Sequence, residues 1–233
     1  MQNPWTIIRK SLALKLIATA GLSLVFSVAA LSYFAISHQE EILMSYVVNE
    51  ADRLGTTIKL GTRYAMMVNS RDDLNQIITN IGSQPGIRAV RVYNKEGQVK
   101  FSNIHGEVDT RTDRHSKACI VCHQSSPPPA DAPLESRTRL FTDADGQRLL
   151  GIISPIHNEP GCAEDCHFHP KDKKVLGAID VVLSLEATDR EIAAFQSRSV
   201  AFTFIVLAGM GVAIFVFMGR FVLRPIRKLS TGA

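Results

Sequence analysis

Ile87-Arg88-Ala89-Val90-Arg91-Val92-Tyr93, then Asn94-Lys95-Glu96-Gly97, then Val99-Lys100-Phe101-Ser102: two strand-like runs flank a polar, glycine-ended turn. That order predicts an antiparallel hairpin. A second hairpin follows at Thr138–Thr142, turn Asp143-Ala144-Asp145-Gly146, and Arg148–Ile156. A fifth strand, Val175–Leu185, leads into a helical stretch, Glu186–Arg198. Upstream, apolar or small residues recur in steps of three and four at Leu43, Val47, Ala51, Leu54, Ile58, Gly61 and Ala65, the period of one helix face. Ser70 with Asp73 predicts the start of a second helix and Gly82 its end. Two helices, a hairpin, an insertion, a hairpin, an insertion, a strand and an exit helix make an α+β domain, with helices packed on one side of an antiparallel sheet.

The charge distribution frames this domain. All 22 acidic residues lie between Gln39 and Arg198. Seven basic residues lie outside that stretch: Arg9, Lys10, Lys15, Arg220, Arg224, Arg227 and Lys228. The 26 basic residues less those seven leave 19 against 22 acids, a net of −3 in the middle. The overall charge of +4 therefore comes from the ends and implies no nucleic-acid partner.

Two stretches lack acidic and strongly basic side chains: Leu16–His38, 23 residues, and Ser199–Gly219, 21 residues. About 20 apolar residues suffice to cross a bilayer as a helix. The alternatives are buried core helices or, for the first run, a signal peptide cut near Ala30 or Ala35. The flanking basic residues place both termini in the cytoplasm. The expected organisation is a cytoplasmic N-terminus (1–15), a span (16–38), an exterior domain (39–198), a span (199–219) and a cytoplasmic segment (220–233). The expected location is the cytoplasmic (inner) membrane of a bacterium, two-pass, with the domain in the periplasm.

The four cysteines fall in two clusters. Cys119-Ile120-Val121-Cys122-His123 is a C-x-x-C-H motif, and Cys162-Ala163-Glu164-Asp165-Cys166-His167 widens the spacing by one. C-x-x-C-H is the attachment sequence of c-type haem: two thiols add to the two vinyl groups, and the next His becomes the proximal iron ligand. A four-thiol zinc site competes, but leaves both histidines unexplained. Two disulfides are possible outside the cell. A thiol oxidoreductase would want the motif in a βαβ setting, whereas this one lies in a Pro- and Ser-rich loop. Both clusters sit in long connections, His105–Arg137 and His157–Lys174, and long loops tend to be functional or disordered. The expectation is two covalently bound haem c groups, held by Cys119/Cys122 and Cys162/Cys166, with His123 and His167 as proximal ligands. Distal candidates are Met66, Met67, His115, His157 and His169, with His105 also available.

The element order resembles the extracytoplasmic PAS-like (Cache-type) sensor domains of bacterial receptors. Phe221-Val222-Leu223-Arg224-Pro225-Ile226-Arg227-Lys228-Leu229 resembles the opening of a HAMP linker. Asp73–Gly82, Ile87–Gly97, the first C-x-x-C-H, Leu150–Ile156 and Asn158–Gly177 make the whole similar to the N-terminal half of haem-c-containing sensor histidine kinases. The resemblance implies a receptor that senses redox state or a diatomic gas, works as a homodimer among membrane lipids, and has any kinase output beyond Ala233. The other expectation is a membrane-anchored dihaem cytochrome carrying electrons between the quinone pool and a periplasmic redox partner. No nucleophile–base set or phosphate loop is visible, so no enzyme is expected within these residues.

Overall fold

The computed structural model describes residues 12–113, 115–116, 118–123, 131–159 and 172–223. The chain divides into two compact units, one of Leu43–Arg190 and one of the stretches up to Ile42 and from Glu191.

The Leu43–Arg190 unit is α+β, with a five-stranded antiparallel sheet in the order β2-β1-β5-β4-β3. Its strands are β1 (Ile87–Asn94), β2 (Val99–Ser102), β3 (Thr138–Thr142), β4 (Arg148–His157) and β5 (Val175–Ser184). Both expected hairpins form. Gly97 and Gly146 take φ of 76° and 81° in their turns, a backbone region that side-chain-bearing residues rarely enter. β5 inserts between the hairpins and pairs with β1 and β4. Its near-continuous apolar run suits a strand covered on both faces, and Gly177, Ile179, Asp180, Val181 and Val182 are all buried.

The long helix α1 (Leu12–Met67) and the shorter α2 (Arg71–Gly82) supply the cover of one face. Ala51, Ile58 and Ile78 pack with Val90, Val92, Leu150, Ile152, Ile179 and Val181. The α1 stripe departs from the expected one at Gly61, which is exposed. Four residues on from Ile58 the buried position is Thr62, whose hydroxyl donates to the Ile58 carbonyl at 2.7 Å and so enters the core satisfied. Ser70 is the N-cap residue of α2, but its hydroxyl donates to the Asp73 carboxylate at 2.6 Å instead of capping a backbone N–H. Gly82 is the last residue of α2; a Cβ there would collide with Asn103, whose side chain bonds Val90 N–H and the Gly82 carbonyl.

The opposite face carries a charge. Asp180 is fully buried at the middle of β5, directly across from Arg91. Arg139 donates to Asp180 at 2.7 Å and Arg91 at 3.2 Å. Arg91 also grips Glu107 in a two-pronged pair at 2.6 and 2.7 Å. Arg139 reaches inward because its register partner is Gly151: a Cβ there would lie 2.5–2.8 Å from the guanidinium.

In the other unit, Ser32 and Thr203 are hydrogen-bonded at 2.7 Å. Thr203 also donates to the Ser199 carbonyl at 2.8 Å. Helix α1 and a further helix, Glu186–Phe217, are long and apolar enough to cross a membrane by length and composition. Their large apolar side chains, Phe26, Phe34, Phe204 and Phe215 among them, are exposed.

Replacing Asp180 by Leu strands two guanidinium groups, and we expect a loss of about 3–5 kcal/mol in denaturant unfolding. Glu107 titrates lower than usual. Burial pushes its pKa up, but hydrogen bonding and charge from Arg91, with the Ser102 hydroxyl, outweigh it. A carboxylate depressed in the folded state stabilises above its unfolded pKa, and that contribution is lost as pH falls through the folded value. The stability gap between the native chain and Glu107→Gln should be full near neutrality and close on acidification below the ordinary value of 4.5.

Candidate functional site

The first insertion turns back after β2. Asp109 N–H donates to the Val99 carbonyl at 2.8 Å, Val99 N–H to Thr110 at 2.9 Å, and Thr112 N–H to Gly97 at 2.9 Å. The backbone is thereby returned to the β1–β2 turn. At that end of the sheet Gly177 opposes both Asn94 and Ile156, so β4 ends and β5 begins there too. The second insertion leaves and re-enters at one point, closed by Asn158 N–H on the Lys174 carbonyl at 2.9 Å. Topology thus opens both cysteine-bearing connections at one end of the sheet.

The first cluster forms a single helical turn, α3 (Ile120–His123). His123 N–H donates to the Cys119 carbonyl at 3.1 Å and Cys122 N–H to the same oxygen at 3.2 Å. Residues three and four apart share a helix face, which groups Cys119, Cys122 and His123. Both thiols are partly buried and unbridged, and His123 is exposed. Burial raises the Cys122 pKa, against a lowering influence of the nearby Arg137 charge. Tyr93, hydrogen-bonded to Thr112 and within electrostatic reach of Cys119, is pushed up to about 12, chiefly by burial.

Arg137 anchors the far side of this insertion. It ends a one-turn helix, α4 (Leu134–Arg137). Its guanidinium donates to the Ala132 carbonyl at 2.9 Å, the Ile153 carbonyl at 3.0 Å and the Asp52 carboxylate of α1 at 3.0 Å. Asp131, in the same insertion, lies 3.4 Å from His157 Nε2 at the neck of the second. On that neck Glu159 pairs with Arg63 of α1 at 2.9 Å.

A cavity of about 260 Å³ opens beside these necks, between the last turns of α1 and the sheet end. Of the distal candidates, it brings together Met66, Met67 and His157. Tyr93, Phe101 and Leu176 add apolar walls, and Lys59, Arg63 and Lys100 bring positive charge. His115 stands elsewhere, exposed and facing Asp113 at 3.3 Å, and His105 is exposed on a short 3₁₀ turn. Cys162, Cys166, His167 and His169 lie outside the described residues, as does the HAMP-like stretch from Arg224. Two unbridged thiols and a histidine on one turn, beside an apolar cavity with a cationic rim, fit the donor set and shape that a c-type haem needs. The contributions of Tyr93, Asp131 and Arg137 have no local sequence signal, since each acts on a partner distant in the chain.

No family model matches this chain, and no curated protein does. Among solved structures it is similar to the periplasmic domain of RsbU from Chlamydia trachomatis, at 9% identity and a TM-score of 0.39. That match covers 69% of this chain and 56% of that one, so the chain spans little more than half of its length. A likeness at that level says nothing about what this chain binds.

The raised Cys122 pKa has a direct readout in haem-free protein. In a Cys119→Ser/Cys162→Ser/Cys166→Ser chain, Cys122 should react with a maleimide several-fold more slowly at neutral pH than an unstructured thiol, because less of it is thiolate. Rates equal to those of the unfolded chain would show that the α3 turn does not shelter it.

Proposed function

We propose that the chain is the sensing half of a membrane receptor. Its periplasmic domain carries two c-type haems between two spans and signals redox state or a diatomic gas across the cytoplasmic membrane. The observation that carries this reading is the α3 turn, which groups Cys119, Cys122 and His123 at the same sheet end as the neck of the second cysteine-bearing insertion. When bound, a c-type haem supplies an iron that changes oxidation state and, where a coordination position is open, takes a gas ligand.

The protein's part is to hold and to relay. Cys119 and Cys122 make the covalent attachment, and His123 stands next in the chain to face the iron. Cys162, Cys166 and His167 repeat the set. The relay runs along the two strands that border the second insertion, because both converge on one junction. Leu185, fully buried, donates from its N–H to the Arg148 carbonyl at 3.0 Å. The Arg148 side chain then holds Asp189 at 2.7 Å, in the first turn of α5 (Glu186–Phe217). A shift of β4 against β5 is therefore felt at the start of the helix that enters the second apolar segment. In a homodimer surrounded by lipid, such a shift repacks helices whose two arrangements differ in ligand affinity.

Two experiments test this. Protein matured in a periplasm with haem-attachment machinery should show two haem additions in denaturing mass spectrometry. A single addition would remove the second site, and none, with zinc bound instead, would remove the reading. Second, cysteine pairs placed near Ser199 should cross-link differently in oxidised, reduced and CO- or NO-treated membranes. Unchanged cross-linking, together with rapid electron exchange with a quinol-oxidising partner, would mark the protein as an electron carrier instead.

A further inference from the structure

The cavity at the sheet end holds three candidate iron ligands, and the structure ranks them. His157 has its Nε2 turned to Asp131 at 3.4 Å, in the other insertion. Met66 is packed against the main hydrophobic core, among the side chains around Ile58 and Ile78. Met67 lines the cavity without belonging to that core, and it is the last residue of α1. Just beyond it the backbone turns through Asn69 at φ 52°, which frees the end of the helix from a following turn of side chains.

A thioether is a poor hydrogen-bonding group and a good soft ligand. Placed at a helix end over an apolar cavity, it has no competing partner to give up. The surrounding charge selects for a ligand with acidic groups. Arg63 and Lys59 on α1 and Lys100 on β2 all border the cavity, with Glu159 alone opposing them among the lining residues. An apolar macrocycle bearing carboxylates matches that lining better than a neutral apolar molecule does.

We infer that this cavity seats the edge of a covalent haem and that Met67 supplies the distal ligand to its iron, while Met66 forms the floor and His157 serves as the tie between the two insertions. This rests on the haem reading above. The same chemistry has two sources, the haem held at Cys119/Cys122 and the one held at Cys162/Cys166, and the test separates them.

The test uses full-length, matured protein in detergent. Met67→Leu keeps the volume and removes the sulfur. It should abolish the weak long-wavelength charge-transfer band of a sulfur–iron bond and move one of two haems from low to high spin, with haem content unchanged by mass. Met66→Leu and His157→Gln should leave that band intact. Met67→His should restore a low-spin spectrum with a lower midpoint potential, since Met ligation raises it. In Cys119→Ala/Cys122→Ala and Cys162→Ala/Cys166→Ala backgrounds, the band should survive in one and vanish in the other, which identifies the seated haem. A band that persists in Met67→Leu, or that is lost in Met66→Leu or His157→Gln instead, overturns the assignment. Mature protein with no covalent haem at all overturns the haem reading itself, an outcome distinct from a failure of Met67.

Discussion

A fully buried carboxylate at the centre of the middle strand constrains everything around it. Asp180 has no solvent exposure, and an unpaired charge there would cost several kcal/mol. It is compensated from both sides, by Arg91 of β1 and Arg139 of β3, so the sheet cannot slip by one residue without stranding three charges. Gly151 admits Arg139 to that pair. Glu107 takes the rest of Arg91 and thereby pins the start of the first insertion to the sheet. The Arg91 guanidinium is held protonated more firmly than usual: burial works against its charge, but Glu107 and Asp180 outweigh it.

That fixed register decides where the chemistry goes. With β5 in the middle, its start faces the β1–β2 turn on one side and the end of β4 on the other. The two cysteine-bearing connections, far apart in the chain, open at the same end. Three polar ties then bind the necks to each other and to α1: Arg137 to Asp52, Arg63 to Glu159 and Asp131 to His157. Two of them end on α1, so a movement in either insertion acts on the same helix that lines the cavity.

Much of this was legible in the residues. The hairpins were readable because turn glycines and β-branched runs are local signals, and their strand bounds differ from the expected ones by a residue at most. The stripe on α1 was readable by its period, except at Gly61, where a small residue was taken for a buried one and the hydroxyl of Thr62 took the place. The α3 turn was readable as a C-x-x-C-H motif, since thiol spacing and the following histidine are chemical requirements on neighbouring residues. The distal ligand was not readable. Histidine and methionine positions rank equally in a sequence until something shows which of them share a space.

By itself, the sequence determined the α+β class, the charge-bounded apolar segments, the positions of the strands and the two cysteine–histidine clusters, because each follows from interactions within a few residues. Only the tertiary structure decided that β5 runs between the hairpins. Only it brought Met66, Met67 and His157 to one cavity while leaving His115 outside, and tied the two insertions through Asp131 and His157. Those facts depend on strand order and on ion pairs between residues up to 89 apart, such as Arg91 with Asp180. Such pairs form only when the backbone has closed around them, and no local pattern of residues encodes that closure.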